Sequence, residues 1–319
     1  YCGAVPDEWI ERFNSGAVNR RIFGNLRGLE SLHAAVDLAH RHGSSLFLVL
    51  NAQHYGPAHQ AALVDLAERF GEFGGDAVIV ADVGLIAELR DRVPGLRVHV
   101  SSVAGCRNSA AVDFYRDLGV RRVIVPRDVT LEEIDAICAA AGDVEIEAFV
   151  LNDGCVFEEG LCHSIHLPAK LGGPICLDPR EQRYRGRDGR AIPDRLLAAL
   201  CDNDADYRDW LWHRFGCGFA TTPAGHPYGP CGLCAIPRLA AAGLTSVKIA
   251  GRERSTAQKL ASVAMVRAVV ERWRRGEPRE SVQRFAVAIR RAEDRCRAGF
   301  MCYYPAVRAG ARHCGANPL

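Results

Sequence analysis

Residues 97–126 read RVHVSSVAGCRNSAAVDFYRDLGVRRVIVP. Two β-branched runs, RVHVSS (97–102) and RVIVP (122–126), flank a stretch with helical apolar spacing over 108–118. Asn108-Ser109 supplies a helix start, because a short polar side chain there satisfies an orphan backbone N–H. A strand, a crossover helix and a second strand form the unit from which parallel sheets are built.

The rhythm extends in both directions. Upstream lie strand candidates SLFLVLN (45–51) and AVIVAD (77–82), and downstream EIEAFVL (145–151). Helices are predicted over 29–43, 57–72, 84–92 and 130–140, the last opened by a Thr130/Glu133 capping box. The strands are apolar almost throughout, as strands covered on both faces should be. SVKIAG (246–251) adds a strand before a long helix over 253–275, and GFATT (218–222) offers another. The chain starts Tyr1-Cys2-Gly3, without Met, like the trimmed end of a longer product, and these residues could close an earlier, partly missing strand. Eight strands fit a (β/α)8 TIM-barrel-like domain. An open doubly wound sheet is the alternative, but no Gly-rich phosphate loop follows the first strands.

Residues 177–230 break the rhythm with a polar stretch, RYRGRDGR, a helix near 192–201 and an aromatic run (Tyr207, Trp210, Trp212). The expected division is a barrel domain over 1–176 and 231–276, an insertion over 177–230 and a basic helical extension over 277–319. With 48% hydrophobic and 24% charged residues, the chain has an ordinary globular composition. A formal net charge of +2 is no signature of a dedicated nucleic-acid binder, and no apolar run is long enough to span a bilayer. Thirteen cysteines, an odd number without scaffold spacing, fit a reducing cytoplasm with metal or redox use better than secretion.

Cys155 and Cys162 stand seven apart just past the 145–151 strand, with Cys176 at GGPIC and Cys231 and Cys234 at GPCGLC. In a β/α barrel the strand C-termini carry the active site, so these thiols share a face. The set Cys155, Cys162, Cys176 and Cys234 matches the four thiolates of a [4Fe–4S] cluster; zinc is the second metal option. Cys231 competes with Cys234, and Cys217 is a distant third choice. Cys106, Cys138, Cys201 and Cys296 read as buried apolar cysteines.

Three segments together resemble the peptidase U32 family. VSSVAGCRNSAAVDFYRDLGVRRVIVPRDVTLEEI is similar to its strand–helix–strand segment, and EIEAFVLNDGCVFEEGLCHS to its cysteine segment with the same C-x6-C spacing. CAIPRLAAAGLTSVKIAGRERS resembles its closing segment, which ends K-I-E-G-R. Ala250 replaces that Glu, and Leu151-Asn152 replaces a His-Gly before the first cysteine. The resemblance implies a TIM-barrel-like domain and a [4Fe–4S] cluster on Cys155, Cys162, Cys176 and Cys234. It implies an oxygen-independent hydroxylase, with prephenate as hydroxyl donor and an aromatic small molecule or an RNA base as substrate. A related U32 subunit, as heterodimer or homo-oligomer, is the partner it suggests. Two alternatives remain: a hydrolase, as the family name says, and a non-catalytic cluster-bearing subunit. No nucleophile with a matched base, and no H-E-x-x-H, favours proteolysis.

Lys248, Arg252 and Arg254 at the last strand would suit an acidic co-substrate, and Lys248, Arg252 and Asn108 are the catalytic candidates. A salt-bridged barrel end would use the same cations. Asn51, Asp82, Ser101 and Arg127 also end strands or open turns, where a cap or structural hydrogen bond is the simpler role. His163, His166 and His226 lie near the cysteine loops, in surface or supporting positions. Arg180, Arg183, Arg185, Arg187 and Arg190 in the insertion keep RNA open as a substrate.

Overall fold

The computed structural model describes residues 1–13, 18–21, 24–152, 160, 183–211, 230–293, 296 and 302–307, with backbone alone over 206–211. Eight parallel strands appear among them. Six form one sheet in the order β3 (Phe47–Leu50), β4 (Ala77–Val80), β5 (Arg97–Val100), β6 (Arg122–Ile124), β7 (Glu145–Leu151) and β8 (Ser246–Ile249). β1 (Gly3–Val5) and β2 (Asn25–Arg27) pair with each other. Cys2 then bridges to Leu48, which places β1 beside β3. The opening residues therefore begin a strand rather than close one.

The helices are α1 (Asp7–Phe13), α2 (Gly28–Arg41), α3 (Pro57–Glu72), α4 (Val83–Arg92), α5 (Ser109–Asp117), α6 (Leu131–Ala140), α7 (Asp194–Leu211), α8 (Ile236–Ala241), α9 (Thr256–Arg274) and α10 (Arg279–Arg290). Strand order rises by one at every step from β3 to β8. Right-handed crossovers then put every connecting helix on the same side, and the sheet curls into a half-barrel. A doubly wound sheet would instead reverse direction at a switch point. The (β/α) reading is borne out to that level.

Local chemistry accounts for the elements. Thr130 accepts from the Glu133 N–H while the Glu133 carboxylate accepts from the Thr130 N–H at 2.7 Å, so the predicted capping box forms. Pro57 sits in the first turn of α3, where its missing N–H costs nothing. The convex row Leu50–Val80–Val100–Val123–Ile146 runs in register across five strands and is almost fully buried. Leu63, Val64, Ala67, Phe70, Leu85, Ile134 and Ile137 from the helices join it in one continuous core. Burying each such side chain contributes roughly 1.5–3 kcal/mol, which makes this layer the main support of the fold.

Two readings need correction. The strands are not apolar on both faces, because the concave side carries charge. The helix expected near 192–201 runs from Asp194 to Leu211 and takes in Tyr207 and Trp210. β2 and α1 had no sequence expectation; each is short, below the length at which periodicity is legible. The GFATT candidate at 218–222 lies outside the described residues.

Candidate active site at the strand ends

The polar strand-end residues are largely committed to structure. Asn51, just after β3, donates to Ser101 Oγ at 3.1 Å. Asp82 caps α4 through the Leu85 N–H and accepts from the Tyr55 N–H, each at 2.9 Å. Ser101 caps a short 3-10 turn, and Asn108 caps α5 through the Ala111 N–H at 2.9 Å. Arg127 lies over the Phe149 ring, 4.0 Å from its centroid. For Asp82, Ser101 and Asn108, capping is the role their side chains perform here.

Cys155, Cys162, Cys176 and Cys217, with Arg180, His163, His166 and His226, lie outside the described residues. Gly160, between Cys155 and Cys162, is described. Its carbonyl accepts from Gln53 Nε2 at 2.6 Å, and its Cα packs against Gly105 in the turn after β5. A side chain at Gly160 would lie in contact with that turn's backbone. The one described point of the C-x6-C segment therefore sits over the mouth of the half-barrel.

Asn152 ends β7 with φ +66°, a left-handed conformation that Asn tolerates better than most residues. Its N–H donates to the Pro230 carbonyl at 2.7 Å and its Nδ2 to Ser262 Oγ at 3.0 Å. Leu151 bridges to Cys231, and the Gly232 N–H donates to Val150 O at 2.8 Å. The 230–235 segment thus returns beside the strand end that leads to Cys155, and it brings Cys231 and Cys234 with it.

Cys302 joins them. It bridges to Cys231, the Tyr303 N–H donates to Cys231 O at 3.0 Å, and the Tyr304 hydroxyl donates to Phe149 O at 2.8 Å. The Tyr303 hydroxyl donates to the Asn152 carbonyl. Burial pushes the Cys234 thiol above its ordinary range, and Cys231, Cys302 and Cys296 raise it further. Four thiols therefore share one neighbourhood, although among the described residues no three donors converge tightly enough to hold a metal ion. Cys296 and Cys302 drew no site expectation, since neither has a paired spacing; tertiary contact alone brings them here. Cys296 is half-buried in this thiol group rather than an inert core residue, and Cys201 is exposed on α7. Cys106 is buried as expected, with burial raising its thiol to about 12.

The cations of the closing strand have distinct environments. Lys248, third in β8, donates to Glu147 Oε1 at 2.8 Å, and Arg122 reaches Glu147 Oε2 at 2.9 Å. Burial by itself would raise Glu147, but Lys248 and then Arg122 hold it down at about 2. His99, beside them, is lowered to about 4 by burial and by the Arg122 charge. Arg252 instead donates to two neutral amide oxygens, Asn19 Oδ1 at 2.6 Å and Asn25 Oδ1 at 3.3 Å. Its buried Nε has no hydrogen-bond partner among the described residues. Gly3 makes room for those two amides, since a side chain there would collide with Asn25. Arg254 is buried behind the turn at Gly251, whose φ of +97° suits glycine.

A parallel half-barrel with thiols and committed polar caps at its strand C-termini has the architecture of a β/α enzyme with its site on that face. The model of Peptidase family U32 matches residues 1–310, and the chain belongs to that family. It is 34% identical over 142 residues to the tRNA hydroxylation protein P of Escherichia coli (strain K12), covering 44% of this chain and 31% of that protein. It is 25% identical over 246 residues to the tRNA hydroxylation protein P1 of Bacillus subtilis (strain 168), covering 77% and 54%. It is 32% identical over 187 residues to the 23S rRNA 5-hydroxycytidine synthase of Escherichia coli (strain K12), covering 55% and 27%. The matched region spans from about a quarter to about half of these relatives' lengths.

Proposed function

We propose that this chain hydroxylates a base of RNA through an oxygen-independent, iron–sulfur-dependent reaction of the U32 type, on a barrel that closes fully as a (β/α)8 fold. The observation that carries the reading is the return of the 230–235 segment beside the end of β7, the strand that leads into Cys155, which brings Cys234 and its competitor Cys231 to that strand end. Relatives named for tRNA and rRNA hydroxylation favour RNA over a free aromatic molecule. Among the described residues, no helix is long and apolar enough to cross a membrane, which accords with a cytoplasmic enzyme on RNA.

The donors fit an iron–sulfur group: soft thiols, with Cys234 half-buried beside Cys231. Cys155, Cys162, Cys176 and Cys234 would hold a [4Fe–4S] cluster, with Cys231 as the competing fourth ligand. When bound, the cluster supplies one-electron transfer. The chain's own residues do the rest. Asn152, locked in its left-handed turn, fixes where the cysteine segment leaves β7. Asn108 acts through its cap, positioning the 105–109 turn on which Gly160 rests. Arg252 holds the acidic co-substrate, prephenate, because its hydrogen bonds go to amides rather than to a carboxylate. Lys248 is a poorer candidate, since Glu147 neutralises it. A related U32 subunit completes the assembly.

Purification without oxygen, with visible absorption and iron and sulfide counts, tests the cofactor. About four irons per chain, lost in Cys155→Ala, is the expected result. A colourless, iron-free protein after anaerobic reconstitution overturns it. Nucleoside mass spectrometry of RNA from cells lacking their own RNA hydroxylases, with and without this chain, tests the substrate. No new hydroxylated nucleoside would reject RNA.

A further inference from the structure

The formal charge of the whole chain is only +2, yet it is unevenly placed. Residues 183–195 hold Arg183, Arg185, Arg187, Arg190 and Arg195 against Asp188 and Asp194. That stretch alone carries 5 − 2 = +3, so the other residues sum to −1. Near-neutrality of the chain therefore conceals a basic arm, apart from the basic helical extension over 277–319.

The arm is shaped for display. The Gly189 N–H donates to Gly186 O at 3.0 Å, closing a turn with Arg187 and Asp188 at its tip. Gly189 has φ +75°, and Asp188 Oδ1 accepts from the Arg190 N–H at 3.1 Å, so the turn is locally determined. The Tyr184 hydroxyl donates to Asp204 Oδ1 at 2.6 Å and ties the arm to α7. Arg183, Arg185, Arg187, Arg190 and Arg195 are all exposed. Among the described residues none pairs with Arg185 or Arg187, and Arg190 is 87% exposed beside Asp188 at 3.4 Å. Exposed guanidinium groups without carboxylate partners are suited to phosphate, which they bind bidentately. Arg183 follows Cys176 by seven residues, so the arm starts within about 25 Å of that cysteine even if the chain is fully extended.

We propose that the 183–195 arm is an RNA-backbone clamp, holding the phosphates that flank the base presented at the strand ends. It rests on the reading of the chain as an RNA hydroxylase and assigns to this segment a grip on the RNA backbone. Its arginines fix register on the strand and carry no base specificity.

The test uses the full chain and fluorescently labelled bulk tRNA across a salt series. Arg185→Ala, Arg187→Ala and Arg190→Ala combined should weaken binding at least tenfold, and the slope of log K against log salt should fall by about 2. The three Arg→Lys replacements should keep most of that slope, which separates charge from folding. Arg274→Ala, Arg275→Ala and Arg279→Ala combined remove the same charge from exposed positions on and between α9 and α10 and should change affinity less than twofold. Equal losses in both triple variants, or none in the arm variant, overturn the clamp. Nucleoside mass spectrometry keeps the two readings apart. Hydroxylation of RNA by a wild type whose arm variant binds and turns over normally sinks the clamp and leaves the function. Arm-dependent binding without any hydroxylated nucleoside sinks the function and leaves the clamp.

Discussion

Two rows of the same sheet, one residue apart, have opposite chemistry. The convex row Leu50–Val80–Val100–Val123–Ile146 is wholly aliphatic, whereas the adjacent concave row reads Val49–Ile79–His99–Arg122–Glu145. Helices cover the first, and close apolar packing stabilises it. The second turns into the half-barrel, where Glu147, Arg122 and Lys248 must neutralise one another in a poorly hydrated space. The convex row tolerates gradual loss of volume. The concave row does not tolerate loss of a single counter-charge, because a buried ion without its partner keeps its full desolvation cost.

The largest expected effect breaks the concave row. Glu147→Ala leaves the largely covered Lys248 without its carboxylate, while Arg122 keeps Glu145, and should cost about 3 kcal/mol in urea denaturation. Glu147→Gln should cost less, by keeping hydrogen-bond acceptance.

Acid should act on the same face. His99 takes a proton near pH 6.5 when unfolded and near pH 4 when folded, so stability falls as pH drops through that window. Glu147, depressed from 4.5 to about 2, contributes stability above pH 4.5 that is lost towards pH 2. Melting temperature should therefore decline steadily below pH 6.5, and His99→Phe should flatten the upper part of that curve. An unchanged profile in the variant would remove His99 from the account.

A convex-row change should be milder. Ile146→Val, deleting one buried methylene next to Glu147, should cost about 1 kcal/mol, independent of pH. Smaller still is the arm: Arg187→Ala should shift stability by less than about 0.5 kcal/mol while altering RNA affinity. If Ile146→Val matched Glu147→Ala, the contrast between the two rows would fail.

Much of the half-barrel was legible because its strands alternate with capped helices. EIEAFVL was located to the residue, as was the 57–72 helix, and the Thr130/Glu133 box formed as expected. The salt-bridged barrel end offered for Lys248 formed, but its partners Glu147 and Arg122 were not recognised, since short strands rich in Val and Ile mask a period-two pattern when the polar residues fall on different strands. Arg122, Glu147 and Lys248 are far apart in sequence and become neighbours only through register. The site divides in the same way. Cys234 and Cys231 were legible from GPCGLC, while Cys296 and Cys302 were not, because their place follows from the tail pairing with Cys231.

The sequence by itself determined the alternation of strands and helices from 45 to 151 and the family resemblance, since each is written in local periodicity, caps and spacing. Tertiary structure alone decided which charges share a buried layer, which thiols surround Cys234, and that Arg252 rests on amides while Lys248 rests on a carboxylate. Those outcomes depend on pairing between residues tens to hundreds of positions apart, where burial and register, not local propensity, set the free energy.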